Sequence, residues 1–290
     1  MPDTHHRYAV VDGRRLFYRE AGDPGRPTLV LLHGYPTSSH MFRDLIPLLA
    51  ADYHVIAPDH LGFGLSDAPP AGEFTYTFDA LTDLTERLLA QLNVDRYAIY
   101  VQDYGAPIGW RLALRRPDAI TAIITQNGNA YDAGFVPEFW QPIWDLHADR
   151  NPHTEAGVRA ALTLDAIRWQ YVTGAPDETL IDPTVWWHDY QLVSRPGNDA
   201  VQLQLFADYA TNPPLYPRVH DYFRATQVPL LAVWGRGDRI FAPAGAQAFT
   251  VDLHYAQVHL VDGGHFLLET ALVDVADLML RFLGQHLPSS

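Results

Sequence analysis

The stretch Tyr97–Trp110, YAIYVQDYGAPIGW, constrains this chain more than any other. Apolar residues run from Ala98 to Val101, β-branched at Ile99 and Val101, and stop at Asp103. Gly105 and Pro107 follow, then a helical pattern through Leu112 and Leu114. The pattern reads as a buried strand, a tight turn and a helix. It places Asp103 at the apex of the turn, where one side chain is lifted above the end of a sheet. An ordinary buried-strand end with a solvated Asp would give the same local pattern, so the rest of the chain has to decide.

The chain before this stretch alternates strand and helix. Tyr8–Val11 and Leu16–Glu20 flank Asp12-Gly13, a type I′ hairpin signal. Thr28–Leu32 is a continuous β-type run ending in His33-Gly34-Tyr35-Pro36, and Tyr53–Ala57 ends at Pro58-Asp59. A short helix through Phe42, Leu45 and Leu49 lies between them. Leu81, Leu84, Leu88 and Leu92 make a one-faced helix. After strand Ile120–Thr125 the pattern breaks at Asn127. From about Gly128 to Thr226 there is no strand–helix unit, but Pro and aromatics, including Trp140, Trp144, Trp169, Trp186 and Trp187. Helical periodicity at 158–169 and 201–209 marks a helical insertion. The alternation resumes at Pro229–Val233, ending in Gly235-Arg236-Gly237-Asp238. A helix near Ala244–Leu253 and strand Gln257–Val261 follow, then Gly263-Gly264-His265 and a closing helix through Leu283. Strands alternating with helices predict a parallel sheet covered on both faces, with a core in residues 1–127 and 227–290 and a helical piece, 128–226, inserted in it.

Composition narrows the function classes. With 290 residues, 48% hydrophobic, the chain can bury one large core plus a smaller piece. Its 20 Lys+Arg against 34 Asp+Glu give a net charge of −14, which argues against nucleic acid or an anionic membrane surface as partner. The absence of Cys excludes disulfides, thiolate metal sites and a Cys nucleophile. The N-terminal MPDTHHRYAVVDG lacks the long apolar stretch of a signal peptide, and no apolar run approaches the ~20 residues of a membrane span. A cytoplasmic protein is expected, with His5-His6 in a disordered end.

Asp103, Asp238 and His265 each stand just past the end of a predicted parallel strand, where open α/β sheets bind their ligands. Three such residues in the order acid, acid, His are hard to explain as solvated loop ends. The order is that of nucleophile, acid and base in the α/β-hydrolases, and the sequence resembles that superfamily over essentially its whole length. It looks most like the branch with an Asp nucleophile, the epoxide hydrolases and haloalkane or haloacetate dehalogenases. The resemblance rests on His33-Gly34-Tyr35-Pro36, Gln102-Asp103-Tyr104-Gly105-Ala106, Gly62-Phe63-Gly64-Leu65-Ser66-Asp67, Gly235-Arg236-Gly237-Asp238 and Gly264-His265-Phe266. Val101 stands where the turn motif usually has its first Gly. No G-x-S-x-G occurs, which argues against a Ser esterase.

The resemblance implies a mostly parallel eight-stranded sheet with residues 128–226 as a cap over the site. It also implies an oxyanion hole from the backbone N–H groups of Tyr35 and Tyr104, a Tyr35–Pro36 bond that is often cis in such motifs, and no cofactor or metal. Asp103 would form an alkyl ester that a water activated by His265 hydrolyses, with Asp238 orienting the imidazole. Asn127 ends the strand where some members carry the acid; it cannot take that charge role. The substrate would be a small apolar organic molecule, with water as co-substrate, and the chain a monomer or homodimer. Haloalkane dehalogenases commonly place a Trp, and haloacetate dehalogenases an Arg, just after the nucleophile; here that residue is Tyr104. Epoxide opening needs a proton donor, and Tyr209 falls where these families carry a cap Tyr. His147 is the second candidate donor. His33, Gly34, Pro36, Trp144 and Trp169 are expected to line the substrate site. Epoxide hydrolysis is the leading expectation, dehalogenation the second, and a non-catalytic receptor on the same fold a remote third.

Overall fold

Asp12 and Gly13 both take positive φ, 50° and 75°, as a type I′ turn requires. They join β1 (His5–Val11) to β2 (Arg14–Ala21) in antiparallel register in this computed structural model, which describes residues 2–287. His5 and His6 are not a disordered end. They pair with Glu20 and Arg19, and the His6 ring nitrogen lies 2.8 Å from the Arg19 guanidinium.

The remaining strands are β3 (Thr28–Leu32), β4 (His54–Pro58), β5 (Tyr97–Gln102), β6 (Ile120–Gln126), β7 (Leu230–Gly235) and β8 (Gln257–Val261). They form one sheet in the order β1-β2-β4-β3-β5-β6-β7-β8, parallel from β4 to β8. Every residue of β4, β5 and β7 is buried, the signature of strands covered on both faces. Successive side chains serve opposite layers. Ile99 and Val101 join a cluster with Leu81, Leu84 and Leu88 of α2 (Phe78–Gln91) and Trp110 of α3 (Gly105–Arg115). Ala98 and Tyr100 join another with α1 (Leu45–Leu49) and with Val275, Met279 and Phe282 of the C-terminal helix, Leu272–His286.

Between β6 and β7 the chain runs through six helices: α4 (Pro137–Ala148), α5 (Pro152–Arg159), α6 (Leu164–Val172), α7 (Thr184–Val193), α8 (Asn198–Asp208) and α9 (Tyr216–Thr226). The expected helix over 158–169 is broken. A 3₁₀ turn, Ala160–Leu162, follows α5, and Thr163 caps α6 by accepting a hydrogen bond from the Ala166 N–H. The run through Tyr209 ends likewise in a 3₁₀ turn, Tyr209–Thr211. Phe223 of α9 meets Trp110 of α3 edge to face, 5.6 Å between ring centres, so the last of the six helices lies beside the sheet. Two helices close the chain, α10 (Pro243–Asp252) and α11 (Leu272–His286). Among the described residues no helix is long and apolar enough to cross a membrane.

Candidate active site

The turn between β5 and α3 carries Asp103 with φ +46°, a left-handed conformation that a non-glycine residue adopts at a cost. Its neighbours make room for it. A Cβ on Gly34 would lie 2.3 Å from both the Cβ and Oδ1 of Asp103, so only glycine fits there. Val101 stands at the position usually held by glycine. The space is found across the turn, where a Cβ on Gly109 would come within 2.5 Å of Val101 Cγ1. The Val101 side chain is thus accommodated by a glycine on the following helix.

The Asp103 carboxyl is buried. Its Oδ1 accepts a 2.7 Å hydrogen bond from the Tyr35 N–H, which the cis Tyr35–Pro36 turn presents. Burial pushes its pKa up, opposed by the His265 charge and the N–H groups of Tyr35 and Tyr104. Its other oxygen, Oδ2, lies 3.9 Å from Nε2 of His265. On the far side of the imidazole, Nδ1 is 2.9 Å from Oδ2 of Asp238. Asp238 is fixed in turn by the N–H groups of Ile240 (2.7 Å) and Phe241 (3.2 Å) on Oδ1, and by the Asn127 amide on Oδ2. Burial lowers the His265 pKa, but the charge and hydrogen bond of Asp238 and the charge of Asp103 together raise it above its ordinary value. The three residues converge from the ends of β5, β7 and β8.

Three amides that end strands tie this group together. Gln102 Nε2 is 2.8 Å from His265 Nε2, Gln126 Nε2 donates to the His265 carbonyl at 2.9 Å, and Asn127 Oδ1 accepts from the Gly235 N–H at 3.2 Å. With Asp238 accepting at Nδ1, the Gln102 N–H matches a neutral His265 whose Nε2 lone pair accepts it. These partners were not singled out from sequence as partners of the triad. A polar residue closing an otherwise apolar strand was the available signal.

Of the remaining expected residues, some reach the site and some do not. His33 donates from Nδ1 to the Gly34 carbonyl (2.9 Å) and accepts at Nε2 from the His60 N–H (3.1 Å). Burial lowers its pKa to about 4, so it is a neutral tie between loops with no ring nitrogen left for substrate. The Tyr104 ring lies against Phe78, Tyr209 and Phe206, with centroid distances of 5.0, 5.7 and 6.2 Å. Tyr35 packs on Phe206 at 5.0 Å and donates its hydroxyl to the Ala161 carbonyl. Tyr209 is fully buried on Trp140, 4.3 Å between rings, and its phenol pKa is pushed up by burial, then by Tyr216 and the Asp103 charge. Among the described residues the Tyr104 hydroxyl has no hydrogen-bond partner, and the Tyr209 hydroxyl faces only that of Tyr216. Trp144 is half-buried and stacks on Trp140. His147 and Trp169 correct the sequence expectation. His147 is exposed in the last turn of α4, its Nδ1 3.2 Å from the Ala207 carbonyl. Trp169 is 40% exposed and stacks on Phe139. Among the described residues no group of three or more acidic or His side chains is gathered as a metal site.

Such an arrangement offers a desolvated carboxylate with one oxygen bound and one open, an oriented imidazole beside it, and aromatic walls. The chain is similar over 284 residues, at 40% identity, to the uncharacterized hydrolase YNR064C of Saccharomyces cerevisiae, the match spanning 97% of each chain. It is 38% identical over 278 residues to a haloalkane dehalogenase of Mycolicibacterium paratuberculosis, covering 92% of this chain and 87% of that one. Its fold superposes on the solved epoxide hydrolase CorEH with a TM-score of 0.78 at 22% identity, covering 98% and 99%. Residues 27–272 match the family model for the alpha/beta hydrolase fold, and the chain belongs to the α/β-hydrolase family.

Proposed function

We propose that this hydrolase opens epoxides to diols through an alkyl ester on Asp103, with residues 128–226 acting as a cap over the reaction. The reading rests on the division of labour between the two oxygens of Asp103. Oδ1 is held by the Tyr35 N–H, and Oδ2 is open towards His265. Oδ2 attacks an sp³ ring carbon in line. The C–O bond breaks, and the electron pair goes to the ring oxygen, which takes a proton from the Tyr209 hydroxyl. His265 then removes a proton from water, and the resulting hydroxide adds to Cγ of the ester. The negative charge that develops on Oδ1 falls on the N–H groups of Tyr35 and Tyr104, at the positive end of α3. Collapse expels the diol oxygen, which receives the proton from His265 and leaves Asp103 as a carboxylic acid. The proton of that acid passes to the Tyr209 phenolate, and both the Asp103 carboxylate and the Tyr209 hydroxyl are restored. Asp238 keeps the imidazole in the required tautomer and stabilises its charged form.

The observation that favours an epoxide is the buried Tyr209 hydroxyl, which among the described residues faces no polar side chain but the neutral Tyr216 hydroxyl and feels the Asp103 charge. An alkoxide leaving group needs such a proton; a halide does not. Hydrolytic dehalogenation is the second reading, supported by the haloalkane dehalogenase relative.

His265→Gln should permit alkylation and stop hydrolysis, so an adduct on the Asp103 peptide accumulates and is visible by intact mass. Adding Tyr209→Phe should slow adduct formation from an epoxide by about 10²–10⁴-fold. From a matched alkyl halide it should cost no more than one hydrogen bond, roughly 1–2 kcal/mol. Adducts from halides alone, insensitive to Tyr209, would select dehalogenation. No adduct from either class would reject the covalent scheme.

A further inference from the structure

Gln202 is completely buried in α8, yet neither its amide oxygen nor its amide nitrogen has a hydrogen-bond partner. Gln204, two residues on and half-buried, is bound at both ends, by the Tyr76 N–H at 2.9 Å and the Ala71 carbonyl at 3.2 Å. The same helix thus uses one amide as a tie and leaves a more deeply buried one unused. An unpaired buried amide destabilises a fold, and a leucine of similar size would fill the space without that cost.

Helix geometry says where Gln202 faces. Phe206 and Tyr209 follow it at i+4 and i+7, on the same stripe. The rings of both meet Tyr104, beside the nucleophile, and Phe206 also meets Tyr35. Gln202 therefore continues, one helical turn towards the N-terminus, the stripe whose rings pack on Tyr104, the residue next to Asp103. The two charged residues of α8 are engaged elsewhere: Asp199 with Arg159, and Asp208 with the Phe78 N–H.

We propose that Gln202 is a substrate-recognition residue, binding a second polar group on the substrate away from the reacting carbon. An amide offers one donor and one acceptor side and no charge. Its complement is a neutral group that both donates and accepts, a hydroxyl or a carboxamide; a charged group there would be desolvated without a counter-charge. The substrate is then an apolar epoxide with one neutral polar end. This deepens the epoxide reading and rests on it.

The test compares terminal epoxides of equal length ending in methyl, hydroxyl or carboxamide. The parent should prefer a polar end by about 10- to 100-fold in kcat/KM, because a site built to hydrogen-bond penalises the analogue that lacks the group. In Gln202→Leu that ratio should fall to about one. Two measurements need no turnover. Calorimetric binding of the corresponding diols should show the same preference and the same loss, and Gln202→Leu without ligand should melt at a higher temperature. Equal affinity of the parent for methyl- and carboxamide-ended diols, or a lowered melting temperature of Gln202→Leu, would overturn the inference. Absence of an Asp103 adduct in His265→Gln would instead strike the covalent scheme, and the diol comparison would still decide on Gln202.

Discussion

At the strand ends, the Asp238 carboxylate receives donors from His265, Asn127, Ile240 and Phe241, and Oδ1 of Asp103 is met by the Tyr35 N–H. In the helices between β6 and β7, the Tyr209 hydroxyl faces only the Tyr216 hydroxyl, and the whole amide of Gln202 receives nothing from the described residues. Both sets of groups are buried. The strand ends form a floor whose charged groups are held by named donors, because an unfixed buried charge would reorganise or neutralise. Gln202, Tyr209 and Tyr216, on the roof of the proposed site, are neutral, so they can stay weakly paired at a bearable cost and would be offered to whatever enters. Fixed charges below and unassigned neutral donors above are what a site needs if one chemistry is to be aimed at a chosen molecule.

The largest expected effect tests the floor at its centre. Asp103→Ala should fold and lose turnover by about 10⁴-fold or more, since removal of a nucleophile leaves only residual catalysis from the surrounding site. Steady-state rates with circular dichroism as the folding control check this. Next, Asp238→Asn should cost on the order of 10⁴ through the wrong imidazole tautomer. Asn127→Ala removes one of the four donors to Asp238 and the acceptor of the Gly235 N–H, and should cost about 10- to 100-fold, the equivalent of one or two hydrogen bonds. Equal losses at the two positions would mean that the floor holds its acid collectively.

A smaller effect concerns pH. Alkylation needs ionised Asp103 and should rise with pH along a limb lying above the ordinary carboxylate range, because burial raises that pKa. Hydrolysis needs neutral His265 and should also rise with pH. The Asp103 charge is one of the influences raising the His265 pKa, and esterification removes it. The hydrolysis limb, read from single-turnover decay of the adduct, should therefore sit at lower pH than the His265 titration of the free enzyme followed by NMR. The smallest effect marks the edge of the roof. His147→Ala, at an exposed position, should leave kcat/KM within about twofold of the parent, as surface changes distant from a site do.

The floor was legible in the sequence because each of its residues follows a run of buried β-branched and aliphatic side chains, and such runs have ends that can be counted. Asp103, Asp238 and His265 were found that way, as were the sheet and the hairpin at Asp12-Gly13. The roof was less legible because its positions depend on helical phase and on where each helix stops. His147 continues the stripe of Trp140 and Trp144, but it falls in the last turn of α4, past the surface that the stripe covers. Trp169 lies on α6, whose buried face is Ile167, Gln170 and Tyr171. Counting residues from Asp103 or Asp238 carries no information about either. Gln102 and Asn127 were visible as polar strand ends, but their partners come from other strands, and only the parallel register brings them together.

The six helices leave the sheet at Gln126 and return to it at Leu230, and β6 and β7 are immediate neighbours, Gln126 opposite Val233. A segment of about a hundred residues is thus hung from two adjacent points of an unbroken ladder. Its length and sequence can be rewritten over generations without shifting any strand by a residue. A chimera joined at these two strands would exchange the whole helical segment while leaving Asp103, Asp238 and His265 where the ladder holds them.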